Sequence, residues 1–345
     1  MNRVKSTANT GKRRVAVLFP GALGDFVCLL PAINVLSEGA EVQVFARSEF
    51  APIVPEHIRV SALERYEINR LFVKGAALEQ RVRELFAPYS IVYSWMGSNA
   101  PVFSAELAAV APLRVRLFAF RGTDPGTHQT DYYLSCLGLS REAARAPEIP
   151  LRSNALEWRS DFFKHHQLGR NPLLVLAPGS GAREKNWPST YFTAAGRWWR
   201  ERIGGEVIVL LGPAEQERGG LDSIHEDFVV AQNLNLAQAA ALLSASNLFV
   251  GNDSGITHLA AAAGAPSIAI FGPSDPRQWA PRGPNVSVFR LSVPCSPCET
   301  AAMKACPHRQ CLVDFSPLNL IEHLEKIKEV VTLTRGGCGI TVQPL

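Results

Sequence analysis

Nothing in these 345 residues reads as a membrane span: no run approaches the ~20 consecutive apolar residues that a helix needs to cross a bilayer. A secretory leader is not expected either. Arg3, Lys5, Lys12, Arg13 and Arg14 supply positive charge near the start, but Pro20, Gly21, Gly24 and Asp25 at once break the apolar stretch behind them. The expected compartment is therefore the cytoplasm, with contact to a membrane from inside left open. A strong charge imbalance is missing too. The formal net charge of +4 is too small and too dispersed to argue for nucleic acid, though it suits an anionic ligand or an anionic surface. There is no low-complexity tract and no close internal repeat. What is present is a chain with 47% hydrophobic and 19% charged residues, which reads as globular. Its length suits two domains better than one core.

Short β-branched runs alternate with helical stretches, which predicts α/β units with parallel sheets covered on both faces. In the first half, strands are expected at Val15–Phe19, Glu41–Ala46, Ile58–Ala62 and Ile91–Trp95, with helices near 25–36 and 78–89. Residues 140–153 are polar and contain proline, so the domain boundary is set there, with domains at 1–150 and 151–345. The second half restarts the grammar. Strands are expected at Leu173–Ala177, Val207–Leu211, Phe228–Ala231, Leu248–Gly251 and Ser267–Phe271. Helices are expected near 156–167, 189–202, 214–225, 236–244, 255–263 and 318–331. Ligands of doubly wound sheets bind at the carboxyl ends of strands, so function should sit in the loops just after them.

The motifs of several common nucleotide folds and hydrolases are absent. Pro20-Gly21-Ala22-Leu23-Gly24-Asp25 links a strand to a helix as a dinucleotide-binding loop would. Its third glycine is missing, however, and the second strand ends at Arg47 where an acidic residue would hold a ribose. No Walker-type Gly-x-x-x-x-Gly-Lys and no Gly-x-Ser-x-Gly elbow occurs. Asp25 at the helix start has two readings: a helix cap, or a carboxylate kept ionised by the helix dipole and able to take a proton from a hydroxyl. The loop from Pro178 to Pro188 could offer Gly179, Ser180 and Gly181 to phosphate oxygens and Lys185 as a compact charge. A plain surface turn would use the same small residues. Val250-Gly251-Asn252-Asp253-Ser254-Gly255 runs from a buried strand into an Ala-rich helix, whose free N–H groups form an anion site. Asp253 or Ser254 could also be only its cap, and His258 is as well read as structural as ligand-binding. Three such loops together favour a diphosphate ligand.

Gly24-Asp25 followed by Pro31, Pro-Gly-Ser-Gly with Lys-Asn-Trp-Pro, and Gly-Asn-Asp-Ser-Gly-x-x-His-Leu-Ala-Ala with Phe-Gly-Pro-Ser-Asp-Pro resemble glycosyltransferase family 9. Its best-known members are ADP-heptose–lipopolysaccharide heptosyltransferases. The resemblance runs from about Arg14 to Val331 and is densest over 173–276. It implies a GT-B fold, two Rossmann-like doubly wound domains facing a central cleft, with the acceptor held by the N-terminal half and the sugar nucleotide by the other. It implies that Asp25 is the catalytic base and that Ser180, Gly181 and Lys185 contact phosphate. Glu215 would lie near the ribose, and Asp253, Ser254 and Gly255 would contact donor sugar and diphosphate. The implied reaction is an inverting transfer from an ADP-sugar to a lipopolysaccharide core or other glycolipid, at the inner membrane, with no catalytic metal and no nucleic acid. Ala177 stands where many members have histidine. Readings kept open are another NDP-sugar donor, a protein acceptor, an epimerase, or a nucleotide-binding protein without transfer activity.

Seven cysteines remain to be placed. Cys28, Cys136 and Cys338 are scattered. Cys295, Cys298, Cys306 and Cys311 fall within seventeen residues, and the Cys-x-x-Cys spacing lets two thiolates chelate one ion. A structural zinc or iron is one reading, and free thiols or two disulfides is the other.

Overall fold

The computed structural model describes residues 13–111, 114–143, 145–212 and 227–333. Eleven strands form two sheets among these residues. The first sheet comprises β1 (Arg13–Leu18), β2 (Ala40–Ala46), β3 (Arg59–Ala62), β4 (Ile91–Ser94) and β5 (Val115–Leu117). Its order is β3-β2-β1-β4-β5, and every pair is parallel. The second comprises β6 (Leu173–Ala177), β7 (Glu206–Leu211), β8 (Val229–Gln232), β9 (Leu248–Asn252), β10 (Ser267–Phe271) and β11 (Val286–Arg290). Its order is β11-β10-β9-β6-β7-β8, again parallel throughout. Both orders reverse direction once, at β1/β4 and at β6/β9. That reversal is the switch point at which doubly wound sheets open a crevice for ligands.

Burial explains why these segments are strands. Every residue of β6, β9 and β10 is buried, so these strands are covered on both faces. The edge strands β3 and β11 are only partly buried, as their one-sided pairing dictates. By contacts the chain groups into two compact units that are discontinuous in sequence. One takes the residues up to Pro20 with Ala32–Ala51 and Pro55–Phe120; the other takes Gly21–Pro31, Pro52–Val54 and the chain from Arg121 onward. Each has its own core. Leu18, Phe45, Val92 and Phe103 belong to the first, and Leu176, Trp187, Val209, Val250 and Ile270 to the second.

The expected strands all occur, within one or two residues. The structure adds β5, β11 and helices at Pro101–Val110, Gln129–Cys136 and Thr300–Ala305. The expected helix over 189–202 closes as Ser189–Trp198 followed by one wider π turn, Trp199–Ile203. The expected helix 214–225, with Glu215, lies outside the described residues. No helix among the described residues is long and apolar enough to cross a membrane.

Candidate active site

Two helix N-termini meet in the second unit. Helix Leu23–Gly39 follows β1, and helix Gly255–Ala262 follows β9. Their backbones approach at Gly24 and Gly255. A Cβ on Gly255 would lie 2.8 Å from the Leu23 Cβ and 3.0 Å from the Gly24 nitrogen. Only glycine fits that approach, and it brings two positive dipole ends together. Ser254 occupies the N-cap position of the second helix but makes no side-chain cap bond; its hydroxyl lies 3.1 Å from Thr257 Oγ1. The first N–H groups of that helix are thus uncapped by any side chain, the arrangement that receives anions.

Asp25 is not the cap of its helix, which begins two residues earlier at Leu23. Its side chain is 7% exposed and is held by Arg121. Arg121 Nη2 donates to Oδ1 at 3.2 Å and Oδ2 at 3.3 Å, and Nε donates to Oδ1 at 3.3 Å. The Arg121 guanidinium in turn lies over the Trp279 indole, 4.7 Å from its centroid.

Lys185 ends a short 3-10 turn, Arg183–Lys185, in the loop after β6. Its Nζ donates to Asp253 Oδ2 at 2.7 Å, tying this loop to the one after β9. The switch point therefore brings together two loops nearly seventy residues apart in sequence. Asn252, fully buried, makes the same link from beneath: it accepts from the Trp187 N–H at 2.9 Å and donates to Pro178 O at 2.7 Å. Trp187 is buried and donates its indole N–H to Phe315 O. The Lys-Asn-Trp-Pro stretch is thus a charged tip anchored by a core tryptophan.

Asp25, Lys185, Gly181, Asp253, Ser254 and Gly255 all line one cavity of about 790 Å³, joined by Arg121, His258 and Trp279. Every residue of its wall belongs to the second unit. Ser180 is set back from the wall. Its hydroxyl lies 2.7 Å from Ala182 O and 2.6 Å from Asn186 Oδ1, so its proton serves the turn. His258 is buried, and that burial lowers its pKa and keeps it neutral. Its Nδ1 is 3.7 Å from Cys28 Sγ, a thiol that burial pushes up to about 12. Asn252, Arg121 and Trp279 were not singled out from sequence. Asn252 had a signal, as an amide closing a buried strand; the other two had none.

Cys295, Cys298, Cys306 and Cys311 surround a second, small cavity of about 10 Å³, together with His308. Among the described residues, no group of three or more His, Cys, Asp or Glu side chains is drawn together as a metal-ligand set. The expected cluster is therefore gathered around one space but not converged on a point. Burial, then the neighbouring thiols, push Cys311 up to about 11 and Cys298 in the same direction. Cys298 also lines the larger cavity.

Residues 137–307 match the model of glycosyltransferase family 9 (heptosyltransferase). Lipopolysaccharide heptosyltransferase 1 of Pseudomonas aeruginosa is 34% identical over 128 residues, 37% of this chain and 36% of that protein. The alignments to the first curated relatives span only about a third to a half of those proteins. Solved structures match over nearly the whole chain. Escherichia coli ADP-heptose lipopolysaccharide heptosyltransferase II matches with a TM-score of 0.68 at 18% identity, covering 92% of this chain and 99% of that one. The iron-containing dodecameric glycosyltransferase TibC of enterotoxigenic E. coli matches with a TM-score of 0.63 at 16% identity, covering 93% and 77%. These two likenesses carry the fold, which is GT-B. The family model, over just under half of the chain, and the motifs gathered in one cavity make this chain similar to glycosyltransferase family 9.

Proposed function

We propose that the protein transfers a heptosyl group from ADP-heptose to a lipopolysaccharide inner-core acceptor, with inversion at the anomeric carbon. One observation carries this reading: a carboxylate, an ammonium group and an uncapped helix N-terminus line the same cavity, about 790 Å³ in volume. The donor diphosphate would lie against Lys185 and the N–H groups at Ser254–Gly255, with Gly181 allowing close approach of the loop after β6. The acceptor hydroxyl oxygen attacks the anomeric carbon and its proton passes to Asp25. The bond from that carbon to the diphosphate oxygen breaks, and ADP leaves with its growing charge met by Lys185 and the helix dipole. Asp253 would release Lys185 to the phosphate and accept from sugar hydroxyls. Residues 1–150 would form the acceptor half and 151–345 the donor half, with Glu215 near the ribose. No step calls on a metal ion. An acceptor of this kind puts the enzyme at the inner face of the inner membrane, where a mildly basic chain is held by anionic lipid. The P. aeruginosa lipopolysaccharide heptosyltransferase 1 and the E. coli ADP-heptose lipopolysaccharide heptosyltransferase II support the donor and acceptor classes.

Nucleotide binding tests the donor assignment. In thermal-shift and calorimetric titrations, ADP should stabilise the protein while UDP, GDP and CMP do so weakly. Equal indifference to all four would favour a binding protein without transfer activity, and preference for another nucleotide would move the reading to a different NDP-sugar.

The cysteine segment supports a structural metal. Four thiols around a space the size of a single ion suit iron or zinc once deprotonated, and the iron of TibC makes iron the first to assay. Such a centre would brace the segment carrying Cys298, Glu299 and Thr300, which lines the larger cavity. Freshly purified, reduced protein should carry about one metal per chain, and Cys311→Ser should lower both metal content and melting temperature. Metal-free wild-type protein with an unchanged melting temperature would refute it.

A further inference from the structure

Arg121 has no counterpart in the three loops that first pointed to the site, yet its guanidinium grips the Asp25 carboxylate directly. Three contacts between 3.2 and 3.3 Å join the guanidinium to both carboxylate oxygens. The geometry is that of a planar fork gripping a carboxylate, which a lysine cannot reproduce.

An arginine that is 54% exposed is not by itself a rigid support, because holding so long a side chain in one place costs conformational entropy. Trp279 supplies the missing restraint. Its indole lies 4.7 Å from the guanidinium, within the range of a cation–π contact. Trp279 is itself fixed. It ends the turn Pro276–Trp279, its N–H donates to Asp275 O at 3.1 Å, and its backbone hydrogen-bonds the buried His258. His258 lies against Gly24, where a Cβ would come within 3.3 Å of its ring. Gly24 is the residue before Asp25. The chain of contacts thus closes on itself along the cavity wall, through Asp25, Arg121, Trp279, His258 and Gly24.

We propose that Arg121, clamped by Trp279, is the positioning residue that fixes the Asp25 carboxylate toward the cavity. The proposal rests on the reading of Asp25 as the proton acceptor. The long contacts leave lone pairs on both oxygens, so Arg121 orients the carboxylate without using up its capacity to accept. A base must be held in the attacking geometry, and the barrier rises steeply when it swings away.

The test uses the full chain, ADP-heptose and a heptose-free lipopolysaccharide core, with Arg121→Met, Arg121→Lys, Trp279→Leu and Asp25→Asn. Asp25→Asn should abolish transfer; if it does not, the base reading fails, whatever Arg121 does. Given that loss, Arg121→Met should lower kcat about 10-fold or more while the KM for ADP-heptose stays within about 2-fold of wild type. Arg121→Lys should rescue only in part, and Trp279→Leu should give a smaller fall in kcat. Wild-type kcat in Arg121→Met, or a raised KM for donor or acceptor with kcat unchanged, would overturn the proposal by making Arg121 a simple binding group. A crystal structure of Arg121→Met decides it without turnover. The Asp25 carboxylate should rotate from its present place, and a carboxylate that stays put would refute positioning.

Discussion

Lys185 is the residue on which the donor assignment turns. It is 28% exposed in its side chain and paired with Asp253, so on the proposed reading an arriving diphosphate would compete with a carboxylate for one ammonium. That competition limits its contribution to ground-state binding. The leaving group carries more charge in the transition state than in the bound donor, and there the ammonium gains most. Lys185→Ala should therefore weaken ADP binding modestly and lower turnover about 100-fold. Lys185→Arg should recover little, since the turn holds a compact charge and not a fork. Calorimetry with ADP and steady-state kinetics measure both effects, and unchanged turnover in the alanine variant would make Lys185 a mere tether of two loops. Asp25, Lys185 and Asp253 were legible in the sequence because each sits beside loop chemistry that is local: glycines, a helix start, a strand end. Arg121 was not, since it meets Asp25 across 96 residues and no local pattern marks it. Ser180 looked like a phosphate contact by composition, but its proton is spent inside its own turn.

At the scale of elements, the wall of the site depends on a histidine that must stay neutral. His128 caps the helix Gln129–Cys136 by accepting from the Thr130 N–H at Nδ1, while Nε2 faces Ala280 O at 2.8 Å, beside Trp279. Only the neutral ring can donate at Nε2 and accept at Nδ1. Burial, then the nearby Arg282 charge, lower its pKa to about 4. Since the unfolded value is 6.5, the unfolded chain binds more protons between the two. The stabilisation is thus complete above about pH 6.5 and lost as pH falls toward 4, by up to roughly 3 kcal/mol. Buried His258 acts in the same direction. Denaturant melts at pH 7 and pH 4.5 should show the loss, and His128→Asn, which can still cap the helix, should have the flatter pH profile. An identical pH dependence in that variant would remove His128 from the account. The helix expected near 236–244 occurs as Leu236–Leu243, closed by an Asn235–Gln238 capping box, whereas the helix Gln129–Cys136, capped by a histidine, was not expected.

At the scale of the whole molecule, most of the architecture was readable because parallel strands buried on both faces leave unbroken apolar runs, as in Leu173–Ala177 and Ser267–Phe271. The edge strand β11 was not, since its alternating, half-buried Val286–Arg290 lacks such a run, and β5 has only three residues. Strand order was likewise beyond local pattern, being fixed by which helices cross where. It is that order which brings the loops after β6 and β9 side by side and gives Lys185 its partner. The central claim is that this cavity carries heptosyl transfer from ADP-heptose. The most direct test incubates the purified protein with ADP-heptose and heptose-free lipopolysaccharide core, then reads the acceptor by mass spectrometry and the anomeric configuration by NMR. The account predicts an acceptor heavier by one heptosyl unit, joined with inverted configuration, and one ADP released per transfer. An unmodified acceptor from protein that binds ADP, or a product with retained configuration, would contradict it.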